Sequence, residues 1–223
     1  MVDGGFRNSF LNRRIRRKVS RLYDHVIICG FGRNGAEAAR VLSEKGEQFV
    51  IIEEKEDSIT ELRQVHRYLS VEGDATDDED LYKAGILKAK SLISTLPNDA
   101  DNLLVVLSAR AINPGLQIIS RASYEWSDVK LKRAGADNVI MPDLVGGRRM
   151  AKLVANPDLV AFLDYMMKKE TGEVQLVELS CRNFACSFLD KTIGELKFRK
   201  IAGVNIVGMK NHKGKYILIL HPI

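Results

Sequence analysis

Short, β-branched apolar runs alternate with amphipathic segments from His25 to about Pro142. The apolar runs are HVIIC, QFVIIEE, YLSVEG, KSLISTL, LQIISRA and DNVIMP, and helical patterns such as GAEAARVLSEKG and ADNLLVVLSARAI lie between them. Strands that alternate with helices indicate repeated βαβ units and therefore a parallel sheet. Because six strands are enough for both halves of a doubly wound fold, the pattern predicts an α/β domain over residues 25–142.

The pattern changes after Pro142. The segment LVGGRRMAKLVANPDLVAFLDYMMKK indicates two helical pieces interrupted at Asn156 and Pro157, because proline disfavours helix in the residue before it. Strand-like runs return from about Glu173 in VQLVELS, NIVGMK and KYILILH, with a short helical pattern in KTIGELKFRK and a turn at residues 211–214. We predict a helical crossover over residues 143–170 and a small, incomplete α+β domain over 171–223.

The composition is that of a soluble globular chain, with 45% hydrophobic and 28% charged residues among 223. Cys29, Cys181 and Cys186 lie in strand-like runs and form no even disulfide framework, which predicts reduced thiols in a cytosolic protein. No apolar run approaches the roughly 18 to 20 residues of a membrane-spanning helix, and the N-terminus lacks the apolar stretch of a signal peptide.

The net charge of +5 is concentrated at the N-terminus. Residues 1–24 carry seven basic and two acidic side chains, whereas from His25 onward 27 basic residues balance 27 acidic ones. This balance argues against a nucleic-acid-binding face on the globular part. For the leader FLNRRIRRKVSRL, phosphate contacts or a solvated helix are alternatives, but basic residues interleaved with apolar ones also suit the cytoplasmic face of a membrane. We predict a basic juxtamembrane linker over residues 1–24 and no nucleic-acid partner.

Gly30, Gly32 and Gly35 form a GxGxxG motif in HVIICGFGRNGAEAARVL. The motif is weak by itself, but here it follows an apolar strand and opens a helix, which is the context of a Rossmann-type dinucleotide site. The first glycine makes a tight turn, the second lets backbone approach a pyrophosphate, and the third lets helix pack on strand. The N–H groups at the helix start and Arg33 are then candidates for phosphate contacts. The alternative is a glycine turn without a ligand.

Glu53 ends the second apolar run, 18 residues after Gly35, near the spacing expected for an acid that binds ribose. A carboxylate there accepts hydrogen bonds from ribose hydroxyls and repels a 2′-phosphate. NAD(H) or an adenine nucleotide therefore fits better than NADP(H). Glu54 takes this role if the strand boundary shifts by one residue, and a solvated strand-end carboxylate is the alternative for either.

Further candidates follow the third, fourth and fifth strands, whose carboxyl ends are where open α/β sheets bind ligands. Asp74 and Ala75 follow the third strand, Thr95 ends the fourth, and Arg121 ends the fifth. Asp74 is equally a candidate helix cap ahead of the acidic run at residues 77–80, which favours a solvated helix start over a divalent-metal site. Arg121 is a candidate for either a phosphate contact or an ordinary salt bridge.

Longer segments together resemble RCK domains, the regulators of potassium conductance, also called Trk-type N-terminal domains. They are HVIICGFGRNG, VIIEE, VEGDATDDEDLYKAGILKAKSLISTL, ADNLLVVLSARAINPGLQIISRA and AGADNVIMPDLVGGRRMAKLV, of which GDAT, KAGI and GADNVIMP are more specific than the glycines. The resemblance spans about residues 25–155. Residues 171–223 are similar to the C-terminal RCK subdomain, and residues 1–24 to the linker that follows a pore's last membrane helix.

The resemblance implies a cytoplasmic gating module of a potassium channel or transporter, on the inner face of the cell membrane, that binds NAD(H), ADP, ATP or AMP. Carried over residue by residue, the nucleotide contacts fall on Gly30, Phe31, Gly32, Arg33, Asn34, Gly35, Glu53, Asp74, Ala75, Thr95 and Arg121. Whether a divalent or monovalent ion is also sensed stays open. The chain has no pore helices, so we expect a separate regulatory subunit or, as the leader favours, the cytoplasmic piece of a channel.

The resemblance also implies self-association into dimers and rings. In the family, the helical pair at residues 144–169 crosses between subunits. Its apolar residues suit a partner surface; they are Leu153, Val154, Leu159, Phe162, Leu163 and Met166.

The competing classes are an NAD-dependent oxidoreductase and an NAD(H)-sensing DNA-binding regulator. Only some 80 residues follow residue 142, which is little for a substrate domain, and the four histidines lie outside the strand-end loops expected to meet a nicotinamide. They are His25, His66, His212 and His221. A DNA-binding regulator needs a recognition helix, and the leader is too short for a helix-turn-helix. We predict a ligand-sensing regulatory domain, with no catalytic residues and no metal site.

Overall fold

The computed structural model describes residues 15–167, 180, 191–211 and 214–218. The predicted strand VQLVELS, except for its last residue, and the cysteines Cys181 and Cys186 lie outside the described residues. The chain divides into two compact units, Met1–Pro157 and Asp158–Ile223.

A six-stranded parallel sheet forms the centre of the first unit. Its strands are β1 (His25–Cys29), β2 (Phe49–Glu53), β3 (Ser70–Glu72), β4 (Ala89–Ser94), β5 (Gln117–Arg121) and β6 (Asn138–Ile140). They lie in the order β3-β2-β1-β4-β5-β6, and every neighbouring pair is parallel. The connection from β3 to β4 crosses to the other side of β1, so the topological switch point lies between β1 and β4. The predicted doubly wound, six-stranded fold is confirmed.

Helices cover both faces of this sheet. They are α1 (Arg33–Glu44), α2 (Glu56–Glu61), α3 (Asp78–Lys83), α4 (Asp99–Ile112) and α5 (Glu125–Ala134). Because side chains alternate along a strand, β1 sends Val26 and Ile28 into one buried cluster, with α1 and α2, and Ile27 and Cys29 into a second cluster, with α3, α4 and α5. Burial of β1 and β2 on both faces explains why these strands appear in the sequence as continuous apolar runs.

The described end of the leader packs against this unit. Residues 15–19 are helical, and Val19 is buried in the same cluster as α3, α4 and α5. The Lys88 Nζ atom donates a hydrogen bond to the Ser20 carbonyl oxygen (3.0 Å), and the Asp24 N–H donates to the Lys88 carbonyl oxygen (2.9 Å). These contacts lie at the amino ends of β1 and β4, on the edge of the sheet opposite the glycine motif.

The first unit ends with α6 (Pro142–Ala155), and the helix α7 (Pro157–Met167) follows after a break at Asn156, where the sequence predicts it. The second unit also contains the short helices α8 (Ile193–Leu196) and α9 (Phe198–Ala202) and an antiparallel hairpin of β7 (Gly208–Lys210) and β8 (Tyr216–Leu218). The Gly214 N–H donates to the Asn211 carbonyl oxygen (2.9 Å) in the predicted turn. None of the described helices has the length and apolar character needed to cross a membrane.

Candidate functional site

The glycine motif lies at the carboxyl end of β1, between that strand and the start of α1. Gly30 has a φ angle of +88°, a left-handed conformation that favours glycine, and a Cβ atom there would lie 3.2 Å from Leu96 Cδ2. A Cβ atom on Gly35 would overlap the Gly30 carbonyl oxygen. Packing within the chain therefore requires glycine at both positions, as the motif predicts.

Gly32 differs from its two partners. No described atom lies within 4 Å of the place that a Cβ atom would take, and its φ angle of −73° suits any residue. Among the described residues nothing requires glycine at this position. The open space lies at the start of α1, which has no side-chain cap and no acidic residue in its first turn. In dinucleotide-binding folds this is where backbone approaches a pyrophosphate.

Arg33 and Asn34 begin α1 beside this open space. Arg33 is exposed and Asn34 is half-buried. The unpaired N–H groups and positive dipole end of a helix start attract anions, and the Arg33 side chain adds a full positive charge there.

Glu53, at the end of β2, forms a hydrogen bond with the backbone of the glycine motif. Its buried carboxylate accepts hydrogen bonds from the Phe31 N–H (2.6 Å at Oε2) and the Lys55 N–H (2.9 Å at Oε1). A carboxylate has about four acceptor positions, so these two bonds leave capacity for ribose hydroxyls. Glu54 is exposed, and Glu53 is the acid that lies against the glycine motif.

The loop after β3 contains two of the predicted residues. Asp74 Oδ1 accepts from the Thr76 N–H (2.8 Å), whereas Asp77 caps α3 by accepting from the Glu79 N–H (2.9 Å). The alternative in which Asp74 caps this helix is therefore wrong. Ala75 is buried in the hydrophobic core, so its side chain is not available to a ligand.

Thr95 follows β4 and contacts the glycine motif directly. Its Oγ1 atom lies 2.9 Å from the Cys29 carbonyl oxygen and 3.1 Å from the Gly30 carbonyl oxygen, in position to donate. The hydroxyl thus holds the turn at Gly30 in place. Burial raises the pKa of the Cys29 thiol far above its usual range, so this cysteine stays neutral beside the loop.

Arg121 lies at the end of β5, toward the same edge of the sheet. Its guanidinium makes only long hydrogen bonds, to the Leu96 carbonyl oxygen (3.3 Å) and Ser123 Oγ (3.4 Å), and its buried Nε atom has no hydrogen-bond partner in the described part of the chain. No acidic side chain within the described ranges forms an ion pair with it. The salt-bridge alternative for Arg121 therefore has no visible partner.

Asp99 fixes the loop that follows Arg121. Its carboxylate accepts from the Ser123 N–H (2.8 Å) and the Tyr124 N–H (3.3 Å). Burial alone would raise the pKa of Asp99, but the nearby Ser127 side chain and the N–H groups of Ser123 and Tyr124 outweigh it and hold that pKa below its usual range.

Two buried polar residues that the sequence did not single out also shape this edge. Asn102, in the first turn of α4, accepts from Ser94 Oγ (2.6 Å) and the Leu96 N–H (3.0 Å) and donates to the Leu96 carbonyl oxygen (2.9 Å). Asp80, in α3, accepts from the Asp74 N–H (2.9 Å). In the sequence Asn102 stands directly before the apolar run LLVVL, which is the one signal that could have indicated its burial, and nothing distinguishes Asp80 within its acidic run.

A doubly wound sheet with a glycine loop beside its switch point defines a Rossmann-type nucleotide-binding domain. Residues 26–142, more than half of the chain, match the TrkA-N domain family, and the chain belongs to that family. The resemblance to Trk-type and RCK domains is thereby confirmed.

Two of the curated relatives are potassium channel proteins. Probable potassium channel protein 2 of Methanocaldococcus jannaschii is 34% identical over 219 residues, which cover 96% of this chain and 64% of that protein. Potassium channel protein 1 of the same organism is 38% identical over 170 residues, which cover 76% of this chain and 51% of that protein. The chain thus spans between half and two thirds of the length of these two relatives.

Solved structures that resemble this fold include a TrkA-N domain and the GsuK channel. The TrkA-N domain of the inner membrane protein YbaL from Escherichia coli matches with a TM-score of 0.57 and 32% identity, covering 60% of this chain and 98% of that one. GsuK bound to ADP matches with a TM-score of 0.53 and 29% identity over 66% of this chain and 39% of GsuK. The GsuK channel bound to NAD matches with a TM-score of 0.51 and 25% identity, covering 61% of this chain and 26% of that one.

Proposed function

We propose that this chain is the ligand-sensing regulatory part of a potassium channel or transporter, and that a nucleotide at the glycine motif controls potassium flux. The open space at Gly32 is the observation that carries the proposal, because no described residue needs glycine there while a pyrophosphate does. The names of the relatives as potassium channel proteins support the link to potassium. In this role the chain works on the cytoplasmic side of the membrane as a sensor and not as an enzyme.

We infer that the ligand is NAD(H) or an adenine nucleotide. Glu53 lies where a ribose is expected, and its negative charge disfavours the 2′-phosphate of NADP(H). Arg33 at the start of α1 and Arg121 at the end of β5 supply positive charge for phosphates on the other side of the motif. The relative GsuK has been solved with NAD and with ADP, which supports the same ligand classes here.

Gly32→Ala tests the site. A methyl group at this position meets no described atom, so the variant should fold with an unchanged melting temperature in the absence of ligand. It should bind ADP and NAD at least tenfold more weakly, because the methyl group occupies the space left for the pyrophosphate. In thermal unfolding, ligand at about 100 times its dissociation constant should stabilise the wild type by about 2.7 kcal/mol. The variant should show a much smaller shift at the same concentration.

Gly115→Ala is the matched control, because its Cβ atom would lie 3.7 Å from Asn113 Oδ1, an ordinary contact, on the opposite edge of the sheet. This control should keep the ligand-dependent shift. If no shift appears in the wild type with NAD, NADH, ATP, ADP or AMP, the site is wrongly assigned. Equal shifts in the wild type and Gly32→Ala would show that the ligand binds elsewhere.

We further propose that the chain self-associates into dimers and larger rings through α6 and α7. The helix α6 exposes Val145, Met150, Leu153 and Val154, and α7 exposes Leu159, Phe162 and Leu163; the side chain of Met166 lies outside the described residues. Exposed apolar residues on consecutive helices favour a protein partner. A nucleotide that prefers one arrangement of such an assembly shifts the population, with a coupling typically about 1 to 3 kcal/mol. The leader would transmit this shift to the pore.

A further inference from the structure

Asp80 is an acidic residue in an otherwise solvated acidic run, yet its side chain is only 10% exposed. Its Oδ2 atom accepts a hydrogen bond from the Asp74 N–H (2.9 Å), and its Oδ1 atom accepts from Lys83 Nζ (2.6 Å). The carboxylate therefore points back from α3 to the loop that follows β3. The Lys83 ammonium, one helical turn further on, compensates its charge.

The same carboxylate explains the glycine at the start of this loop. A Cβ atom on Gly73 would overlap the Asp80 carboxylate, so Asp80 fills the space that a side chain at residue 73 would need. The Gly73 N–H donates to the Glu53 carbonyl oxygen (3.0 Å). A continuous set of contacts thus leads from Asp80 through Gly73 and Asp74 to Glu53.

We propose that Asp80 is a positioning residue for the adenosine half of the ligand. It holds Gly73 and Asp74 beside Glu53, so that the ribose and base meet a loop that is already ordered. The inference rests on the proposed nucleotide binding at Glu53. Asp80 itself does not contact the ligand, because its two oxygen atoms are engaged by Asp74 and Lys83.

Removal of the carboxylate leaves the Asp74 N–H without its acceptor and the Gly73 backbone without the group packed against it. The loop then samples more conformations, and the cost of ordering it is added to the binding of the nucleotide. Asp80→Ala should therefore weaken the binding of ADP about tenfold in the purified full chain, measured by isothermal titration calorimetry.

Two companion variants separate positioning from a general loss of structure. Asp80→Asn keeps the volume and an oxygen that accepts from Asp74, so it should recover most of the affinity for ADP. Glu79→Ala removes an exposed acid from the same helix and should bind ADP like the wild type. Wild-type affinity in a folded Asp80→Ala variant, or an equal loss in Asp80→Asn and Asp80→Ala, overturns the proposal. A wild type that binds no adenine nucleotide refutes the proposed function instead.

Amide hydrogen exchange tests the hydrogen bond between the Asp74 N–H and Asp80 in the absence of ligand. The Asp74 backbone N–H should exchange about tenfold faster in Asp80→Asn than in Glu79→Ala, because a side-chain amide oxygen accepts less strongly than a carboxylate. The exchange should be faster still in Asp80→Ala, which has no acceptor. Equal exchange rates at Asp74 in the wild type and Asp80→Ala contradict a positioning role, whether or not nucleotide binds.

A double variant tests the contact between Asp80 and Gly73. Gly73→Ala should by itself weaken ADP binding, because its methyl group displaces the Asp80 carboxylate. In the double variant Gly73→Ala with Asp80→Ala, the second change removes the group that was displaced, so the combined loss should be no larger than the greater single loss. Additive losses would show that the two residues act independently and would overturn the proposal.

Discussion

Several polar side chains at the carboxyl edge of the sheet bond to the backbone of neighbouring loops. Glu53 accepts from the Phe31 N–H, Thr95 donates to carbonyl oxygens at Cys29 and Gly30, and Asn102 holds Leu96 through both its N–H and its carbonyl oxygen. A buried polar group that loses its partner costs about 1 to 3 kcal/mol, so each bond resists displacement of its loop. The loops of the proposed site are therefore ordered by the chain itself.

The position of Glu53 leads to a prediction on nucleotide selectivity. Glu53→Gln keeps the size of the side chain but removes its charge. NAD should bind more weakly, because an amide oxygen accepts hydrogen bonds from the ribose hydroxyls less strongly than a carboxylate does. Because the 2′-phosphate of NADP is no longer repelled, the ratio of the affinities for NAD and NADP should fall by about tenfold. Titration calorimetry with both nucleotides measures this ratio. Glu54→Gln, at the exposed neighbour, is the control and should leave it unchanged. An unchanged ratio in Glu53→Gln would remove Glu53 from the ribose site.

His25 provides a second prediction at the residue scale, on pH. Its ring is fully buried at the start of β1, with Nε2 2.9 Å from the Ala84 carbonyl oxygen and no hydrogen-bond partner for Nδ1 in the described part of the chain. Burial, the largest influence, lowers the pKa of His25; the Ala84 carbonyl and Asp24 act in the opposite direction, and Lys88 lowers it further. The neutral ring is therefore the form that suits the folded chain.

The lowered pKa fixes the sign of the pH dependence. Above about pH 6.5 His25 is neutral in both the folded and the unfolded chain, so its contribution to the free energy of unfolding is fully present. Below that pH the unfolded chain binds the proton first, and this contribution falls by at most about 1.4 kcal/mol per pH unit. Between pH 7.5 and 5.5 the wild type should lose more of its free energy of unfolding than His25→Gln, whose amide does not titrate. Urea unfolding at both pH values measures the difference, and parallel losses would contradict the prediction.

At the scale of elements, the apolar runs located all six strands of the sheet, because strands covered on both faces leave a continuous hydrophobic signal. The glycine spacing likewise located the turn between β1 and α1. The start of α3 was harder to predict. Acids stand at residues 74 and 77–80, and a shift of a few residues in the helix start decides whether Asp74 or Asp77 caps it.

The contacts of Asp80 and Asn102 could not be predicted for a different reason. Each side chain bonds to a loop six residues earlier in the chain, and that contact exists only once the helix has packed on the sheet. Periodicity and spacing report which face of a helix is buried, but they do not report which backbone group a buried polar atom meets. The role of Thr95 in holding the turn at Gly30 depends on β1 and β4 being neighbours, which is likewise a property of the tertiary fold.

The leader gives a prediction at the element scale. Its described end packs on the first unit through Val19, which is 3% exposed, although the sequence divides linker from domain between residues 24 and 25. Val19→Ala should lower the free energy of unfolding by about 1 to 2 kcal/mol, because buried methyl groups are lost. Val65→Ala removes the same methyl groups from a residue that is 70% exposed, and it should change the free energy of unfolding by less than about 0.5 kcal/mol. Equal, small effects would mean that residues 15–24 are not part of the folded unit.

At the scale of the whole molecule, the proposed regulation requires more than one copy of the chain. A single Rossmann domain covers its own sheet with helices, so further apolar helices need another partner. The exposed side chains of α6 and α7 are the observation that favours a second copy, whereas the alternative is an intrachain core that includes α7. The two arrangements respond differently to a charge placed on α7.

Phe162→Asp distinguishes these arrangements. In a subunit interface the new charge should give a folded monomer, because the carboxylate is solvated in the free chain and costly only when a partner buries it. In an intrachain core the same charge should unfold the second unit. Sedimentation velocity measures the oligomeric state and circular dichroism measures the fold.

Val65→Asp places the same charge on another exposed apolar residue and should leave the assembly intact. A folded Phe162→Asp variant that sediments as the same oligomer as the wild type would show that α7 does not form the interface. If the interface is correct, the monomeric variant should still bind ADP while losing any dependence of assembly on nucleotide, because the glycine motif and Glu53 lie in the first unit.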